Sequence, residues 1–172
     1  AFTGDMIDLE CEGATPLFEA TANMGAPCGA FLVLGNHDLL DDGDRVVEMA
    51  TAAGIEVLED RVCDVPFSRW RTGEDGEPLR VGGIGWDKTV PDLSRRVDRV
   101  RPQAPSLLLA HNPKAFLPAS RAGIPLTLSG HTHGGQVARA GRPDVNPAMT
   151  NRLNAGFYLR DASALFVTVG TG

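Results

Sequence analysis

The chain has 172 residues, with 16 Lys and Arg against 22 Asp and Glu, so its formal net charge is −6 with histidine neutral. That balance excludes a nucleic-acid surface built on bulk positive potential. The length is that of about one domain, 42% hydrophobic residues suffice for one sizeable core, and the longest apolar run, residues 30–34, is far below the roughly 20 residues that cross a bilayer.

Only Ala1, Phe2 and Thr3 precede Gly4-Asp5, which has the character of a strand end, although a strand usually runs about five residues. A helix is expected over 16–24. Residues 30–34 are apolar throughout between Gly29 and Gly35, as in a strand buried on both faces. Asp44 is expected to cap a helix with Val46, Val47, Ala50 and Ala53 on one stripe, ended by Gly54. Strands follow at 55–58, 61–65 and 79–84, with Thr72-Gly73-Glu74-Asp75-Gly76 forming a hairpin between the last two. Leu93, Val97 and Val100 make a second helical stripe, with Arg95, Arg96 and Arg99 on the solvent side and Pro102 as the stop. Trp86-Asp87 ends the strand at 79–84 near the expected cleft, where it could border substrate, but core packing is the stronger expectation. Further strands are predicted at 106–110, 126–129, 156–159 and 164–169, and a helix at 114–121. Strand and helix alternation at both ends with a hairpin between them points to an α/β sandwich of mixed sheets. The run at 164–169 closes the chain without a further element, so residues 1–172 are expected to be one domain trimmed at both ends.

Three cysteines, Cys11, Cys28 and Cys63, stand far apart without a Cys-x-x-Cys pair, which argues against a disulfide framework or a thiolate zinc site. They are expected to be buried, reduced thiols. The four histidines carry a stronger signal, because each follows an apolar run at a polar, glycine-flanked position. His37 follows residues 31–36, His111 follows 107–110, and His131 and His133 follow 126–130. In open α/β sheets the strand C-terminal edges are where ligands bind. Asp5 adds a carboxylate in the same setting. Histidine with Asp and Asn, and no nearby cysteine, is a nitrogen and oxygen donor set suited to Mn, Fe or Zn. Glycine before each of Asp5, Asn36 and His131 lets backbones approach closely. Two divalent ions about 3.5–4 Å apart need a carboxylate between them, and Asp5 can bridge.

Gly4-Asp5-Met6-Ile7-Asp8, Gly35-Asn36-His37-Asp38, the lone His111 and Gly130-His131-Thr132-His133 resemble four of the five motifs of the calcineurin-like metallophosphoesterases, in that family's order. Gly134-Gly135-Gln136 and Asn112-Pro113 resemble the bacterial branch that includes membrane-associated phosphodiesterases and UDP-2,3-diacylglucosamine pyrophosphatases. The resemblance implies a four-layer αββα sandwich and a centre of two divalent ions, with manganese, iron or zinc as candidates. It makes Asp5 the bridging ligand, places Asn36, His111 and His131 on the second metal and His133 on the first, and casts His37 as general acid oriented by Asp8. Asp38 is expected to hold the loop rather than a metal. The implied reaction is hydrolysis of phosphodiester or pyrophosphate bonds by a hydroxide formed at the metals.

The family's first motif, Asp-x-His, occurs nowhere in these residues, which leaves Asp5 and His133 alone for the first metal. The acidic balance favours a small or lipid-linked phosphate ester over long nucleic acid. Branch relatives often carry an N-terminal membrane anchor, so membrane association through a preceding segment is an expectation. A nuclease, and a non-catalytic or one-metal module on the same fold, stand as alternatives. A protein Ser/Thr phosphatase ranks last, because Leu9-Glu10 replaces the Arg-Gly those enzymes carry. The arginines at 95–101 are expected on the solvated surface, while Arg139 and Arg142 could equally engage a second phosphate or lie in an ordinary surface loop.

Overall fold

The computed structural model describes residues 1–70, 76–135 and 153–170. The expected turn residues 72–75, together with Gln136, Arg139 and Arg142, lie outside the described residues.

Two sheets face each other. In the smaller, β1 (Ala30–Leu32) runs parallel to β2 (Ile55–Val57), and Phe2 lies parallel along the other side of β1. Phe2 N–H donates to Phe31 O (2.8 Å), and Val33 N–H donates to Phe2 O (3.2 Å). In the larger sheet, β3 (Arg61–Val65) is antiparallel to β4 (Leu79–Ile84), as a hairpin requires. Parallel strands β5 (Leu107–Ala110), β6 (Leu126–Ser129) and β8 (Ser163–Val167) follow across the sheet, and β7 (Gly156–Arg160) closes it antiparallel to β8. Both sheets therefore hold parallel strands, and those of the larger one end together at Ile84, Ala110, Ser129 and Val167.

Alternation along the strands sorts side chains into layers. Leu32 and Leu34 pack with Phe18 of α1 (Thr15–Ala22) and with Val46, Met49 and Ala50 of α2 (Gly43–Ala52). The intervening Phe31 and Val33 turn inward, against Val65, Val81 and Leu109 between the sheets. On the far side Ile84, Leu108 and Ala110 meet Leu93, Val97 and Val100 of α4 (Val90–Val100) and Ala119 of α5 (Phe116–Arg121). The order is helix, sheet, sheet, helix, which is the expected αββα sandwich. A short α3 (Phe67–Trp70) follows β3. No helix of the described residues is long and apolar enough to cross a membrane.

Several local expectations shift. The cap of α2 is Asp42, whose extended backbone (φ −143°, ψ 93°) lets its Oδ1 accept Arg45 N–H at 3.0 Å. Asp44 sits inside the first turn instead, where a carboxylate favours the positive end of the helix dipole. Met49, rather than Val47 or Ala53, completes the buried stripe of α2 with Val46 and Ala50. Arg96 leaves the solvent side of α4 and ion-pairs with Asp60 and Asp87. The three cysteines are free but only half-buried.

The sheets approach closely where Gly83 faces Leu58. A Cβ on Gly83 would lie 2.2 Å from Leu58 Cβ and 2.8 Å from Val33 Cγ1, so a glycine is required at that crossing. Just past β1, Asp38 is fully buried and holds four backbone N–H groups. Its Oδ2 accepts from Gly35 and Asp5, both at 2.8 Å, and its Oδ1 accepts from Met6 (2.8 Å) and Ile7 (3.2 Å). Burial pushes this carboxyl above its ordinary value, against the pull of the four donors.

Two outcomes are expected in urea denaturation. Gly83→Ala destabilises the chain by about 1–3 kcal/mol, because the interface between the sheets has no room for the added carbon. Asp38→Asn costs about 3 kcal/mol, since an amide turns N–H groups toward donors it must satisfy; unchanged midpoints in both variants contradict this packing.

Candidate metal centre

The C-terminal strand edges bring the glycine-flanked motifs together. Asp5 follows Phe2 and stands at the end of β1, beside Gly35-Asn36. His111 follows β5, and His131 follows β6 after Gly130. Two close approaches depend on glycine: a Cβ on Gly35 would lie 2.1 Å from Asp5 Oδ1, and one on Gly4 would lie 2.6 Å from His111 Nδ1. Asp5, His131 and His133 adopt positive φ (56°, 70° and 48°), which costs a non-glycine residue about 1 kcal/mol each. The Asp38 hydrogen bonds hold the first of these in place.

Four donor atoms converge on one point. His111, 2% exposed, places its Nδ1 2.6 Å from Thr3 O. A carbonyl only accepts, so Nδ1 carries the proton and a neutral ring presents a bare Nε2. Around that Nε2 lie Asp5 Oδ2 (3.1 Å), His131 Nδ1 (3.1 Å) and Asn36 Oδ1 (3.2 Å). Asp5 Oδ2 is buried and, although close to the imidazole, makes no hydrogen bond. A single proton on Nε2 relieves at most one of these contacts, whereas a cation at the centre relieves all of them. The spacing also fits, because octahedral or tetrahedral ligands at about 2.1 Å from a metal stand about 3.0–3.4 Å apart.

Protonation states agree with ligation. Burial works against ionisation of Asp5, but His111 and the His37 N–H outweigh it and hold the carboxyl below its ordinary value. Burial and the neighbouring His111 push His131 down to about 4, so it keeps its lone pair at neutral pH. Thr3 O supplies the outer hydrogen bond that metal-binding histidines usually make.

The remaining expected residues line the same cleft of about 680 Å³ without joining this group. His37 donates its backbone N–H to Asp5 Oδ1 at 2.9 Å. Its ring is held chiefly by the main chain of Asp8, with Nδ1 2.7 Å from Asp8 O, and less by the Asp8 carboxylate at 3.2 Å. That carbonyl, opposed by burial and helped by Asp5, Asp8 and Asp38, holds the imidazole above its ordinary value. The Asp8 side chain is 88% exposed. His133 is exposed and outside the donor cluster, so among the described residues Asp5, His111 and His131 form one candidate metal group, with Asn36 beside them. Trp86, expected in the core, instead sits half-buried against the two clustered imidazoles, with centroids 5.3 Å from His111 and 4.7 Å from His131. Its strand-end position near the cleft was the one signal for this place, and the contact with the imidazoles depends on how the loop after β4 folds back.

No protein-family model matches the chain. An uncharacterized metallophosphoesterase of Bacillus subtilis, YkuE, is 28% identical over 180 residues, covering 99% of this chain and 59% of that protein. A transmembrane protein with metallophosphoesterase domain from Danio rerio is 28% identical, over 98% of this chain and 40% of its own length. An uncharacterized metallophosphoesterase of Campylobacter jejuni, Cj0846, is 27% identical over 78% of this chain and 35% of that protein. Among solved structures, the sulfate thiohydrolase SoxB of Termus thermophilus aligns with 91% of this chain and 30% of its own, at 18% identity and a TM-score of 0.48. The chain thus spans 59%, 40% and 35% of these three curated relatives, and along most of its length it is a homologue of proteins named metallophosphoesterases.

Proposed function

We propose that the chain hydrolyses phosphoric esters, at phosphodiester or pyrophosphate bonds, with divalent cations held at the strand edges. The observation that supports this most is the crowding of lone pairs around His111 Nε2. Asp5, Asn36, His111 and His131 would hold one ion, and Asp5 with His133 would contribute to a second. A bound divalent ion supplies positive charge for phosphoryl oxygens and lowers the pKa of water to about 7.

The chain's own groups supply the rest. His37 Nδ1 is engaged by Asp8 O, so Nε2 is the nitrogen left to deliver a proton to a leaving-group oxygen. The backbone bond from His37 to Asp5 keeps that proton donor in register with the metal ligand. Asp8 and Asp5 favour the charged imidazole that a general acid requires. With a net charge of −6, the protein offers an anion little long-range attraction beyond the metals, which favours a small or lipid-linked phosphate ester over long nucleic acid. Manganese suits the mixed imidazole, amide and carboxylate set, as do iron and zinc.

A second reading, a one-metal module, is favoured by the position of His133, exposed and outside the donor group. Calorimetric titration with Mn²⁺ is expected to give one tight site lost in His131→Ala and a second, weaker one. Two equally tight sites contradict that order, and no uptake overturns the metal reading. Turnover of bis-p-nitrophenyl phosphate by residues 1–172 alone is expected to be weak, because only Asp5 and His133 are left for the first metal, and absence of turnover in the Mn²⁺-loaded full-length parent selects the binding module.

His37→Ala is expected to lower kcat about 10²–10⁴-fold for a diester with an alkyl leaving group. The same variant loses far less with p-nitrophenolate, which departs without a proton. Equal losses on both substrates remove the general-acid role.

A further inference from the structure

His111 and His131 are held in different ways. His111 is locked by its hydrogen bond to Thr3 O, and its ring cannot turn without losing it. His131 sits on a strained backbone at φ 70°, and among the described residues its ring makes no hydrogen bond except the contact of Nδ1 with His111. Its orientation needs another support.

The indole of Trp86 stands where that support is required. It meets the His131 ring at 4.7 Å and 52°, and the His111 ring at 5.3 Å and 65°. Such tilted and edge-on contacts are those in which aromatic rings attract. The residues on either side of Trp86 are held in place. On one, Gly85 N–H donates to Asp60 Oδ1 at 3.2 Å; on the other, Asn112 Nδ2 donates to Asp87 O at 2.9 Å. Arg96 joins the two, with Nη1 2.8 Å from Asp60 Oδ2 and Nε 2.5 Å from Asp87 Oδ2. Its guanidinium lies so close to the backbone that a Cβ on Gly85 would come within 2.6 Å of Nη1. Arg96 and Asp60 are only 24% and 14% exposed, so this clamp is shielded from solvent screening.

We propose that Trp86, clamped in place through Arg96, is a positioning residue that holds the His131 imidazole, and with it the donor set, ready for a divalent cation. The proposal rests on the metal reading above. An aromatic wall then does for His131 what a hydrogen bond does for His111, and outer partners of metal ligands commonly change affinity by about 10–100-fold.

The test is Mn²⁺ titration of the full chain by calorimetry, with thermal melting of each metal-free variant as the control for folding. Trp86→Leu is expected to weaken the tighter site about tenfold, while Trp86→Phe, which keeps a ring against His131, stays near the wild-type value. A purely structural role would lower the melting temperature without this separation between leucine and phenylalanine. In a Trp70→Phe chain all tryptophan emission comes from Trp86, and Mn²⁺ is expected to quench it in step with calorimetric saturation. This last measurement needs no change at Trp86, so it can still overturn the role where Trp86→Leu does not fold. Wild-type affinity in a folded Trp86→Leu chain, or emission that ignores bound Mn²⁺, overturns the role of Trp86 and leaves the metal reading standing. A wild-type chain that takes up no Mn²⁺ overturns both.

Discussion

One buried carboxylate sets the geometry of the cleft. Asp38 collects N–H groups from the end of its own strand and from the segment around Asp5, more than 30 residues away in sequence. Those donors face a site from which water is largely removed, where an unpaired N–H costs about 1–3 kcal/mol. Grouping them on one acceptor gives the segment a single place to lie, and this forces Asp5 into positive φ with its side chain aimed at the histidines. The strained backbone follows from a well-satisfied hydrogen-bond arrangement beside it.

The cleft carries a second tension. Asp5 Oδ2, Asn36 Oδ1 and His131 Nδ1 crowd one imidazole nitrogen, an arrangement that a packed interior usually avoids. Strained backbone and crowded lone pairs fall in the same few residues, so this is where the structure gives up stability. The surrounding body compensates with ordinary means: alternating apolar strands, two helical layers and a glycine crossing between the sheets.

Much of this architecture was legible because it rests on periodicity. The unbroken apolar runs at 30–34 and 107–110 signal strands buried on both faces, and the structure shows Leu32 and Phe31 parted to opposite layers in this way. Glycine next to Asp5, Asn36 and His131 likewise signalled close approach, and the distances at Gly4 and Gly35 give the reason. Local signals that depend on one residue's backbone were less reliable. Asp42 and Asp44 are equivalent by composition, and only the extended conformation of the first makes it the cap. Trp86 and Arg96 could not be placed from sequence, because their positions depend on Asp60, Asp87 and Asn112 meeting across three separate loops. Asn36 entered the donor set through its glycine-flanked place beside His37, but its grouping with His111 and His131 was legible only through the family resemblance.

The donor set has one further consequence. Asp5 and Asn36 stand at the edge of the smaller sheet, whereas His111 and His131 stand at the edge of the larger one. An ion shared among them would therefore stitch the two halves of the sandwich at their open rim, opposite in character to the apolar seam between their faces. Occupancy and cohesion would then be the same equilibrium seen from two sides: saturating the ion at about a hundred times its dissociation constant adds about 2.7 kcal/mol to the folded state, and anything that prises the sheets apart expels it.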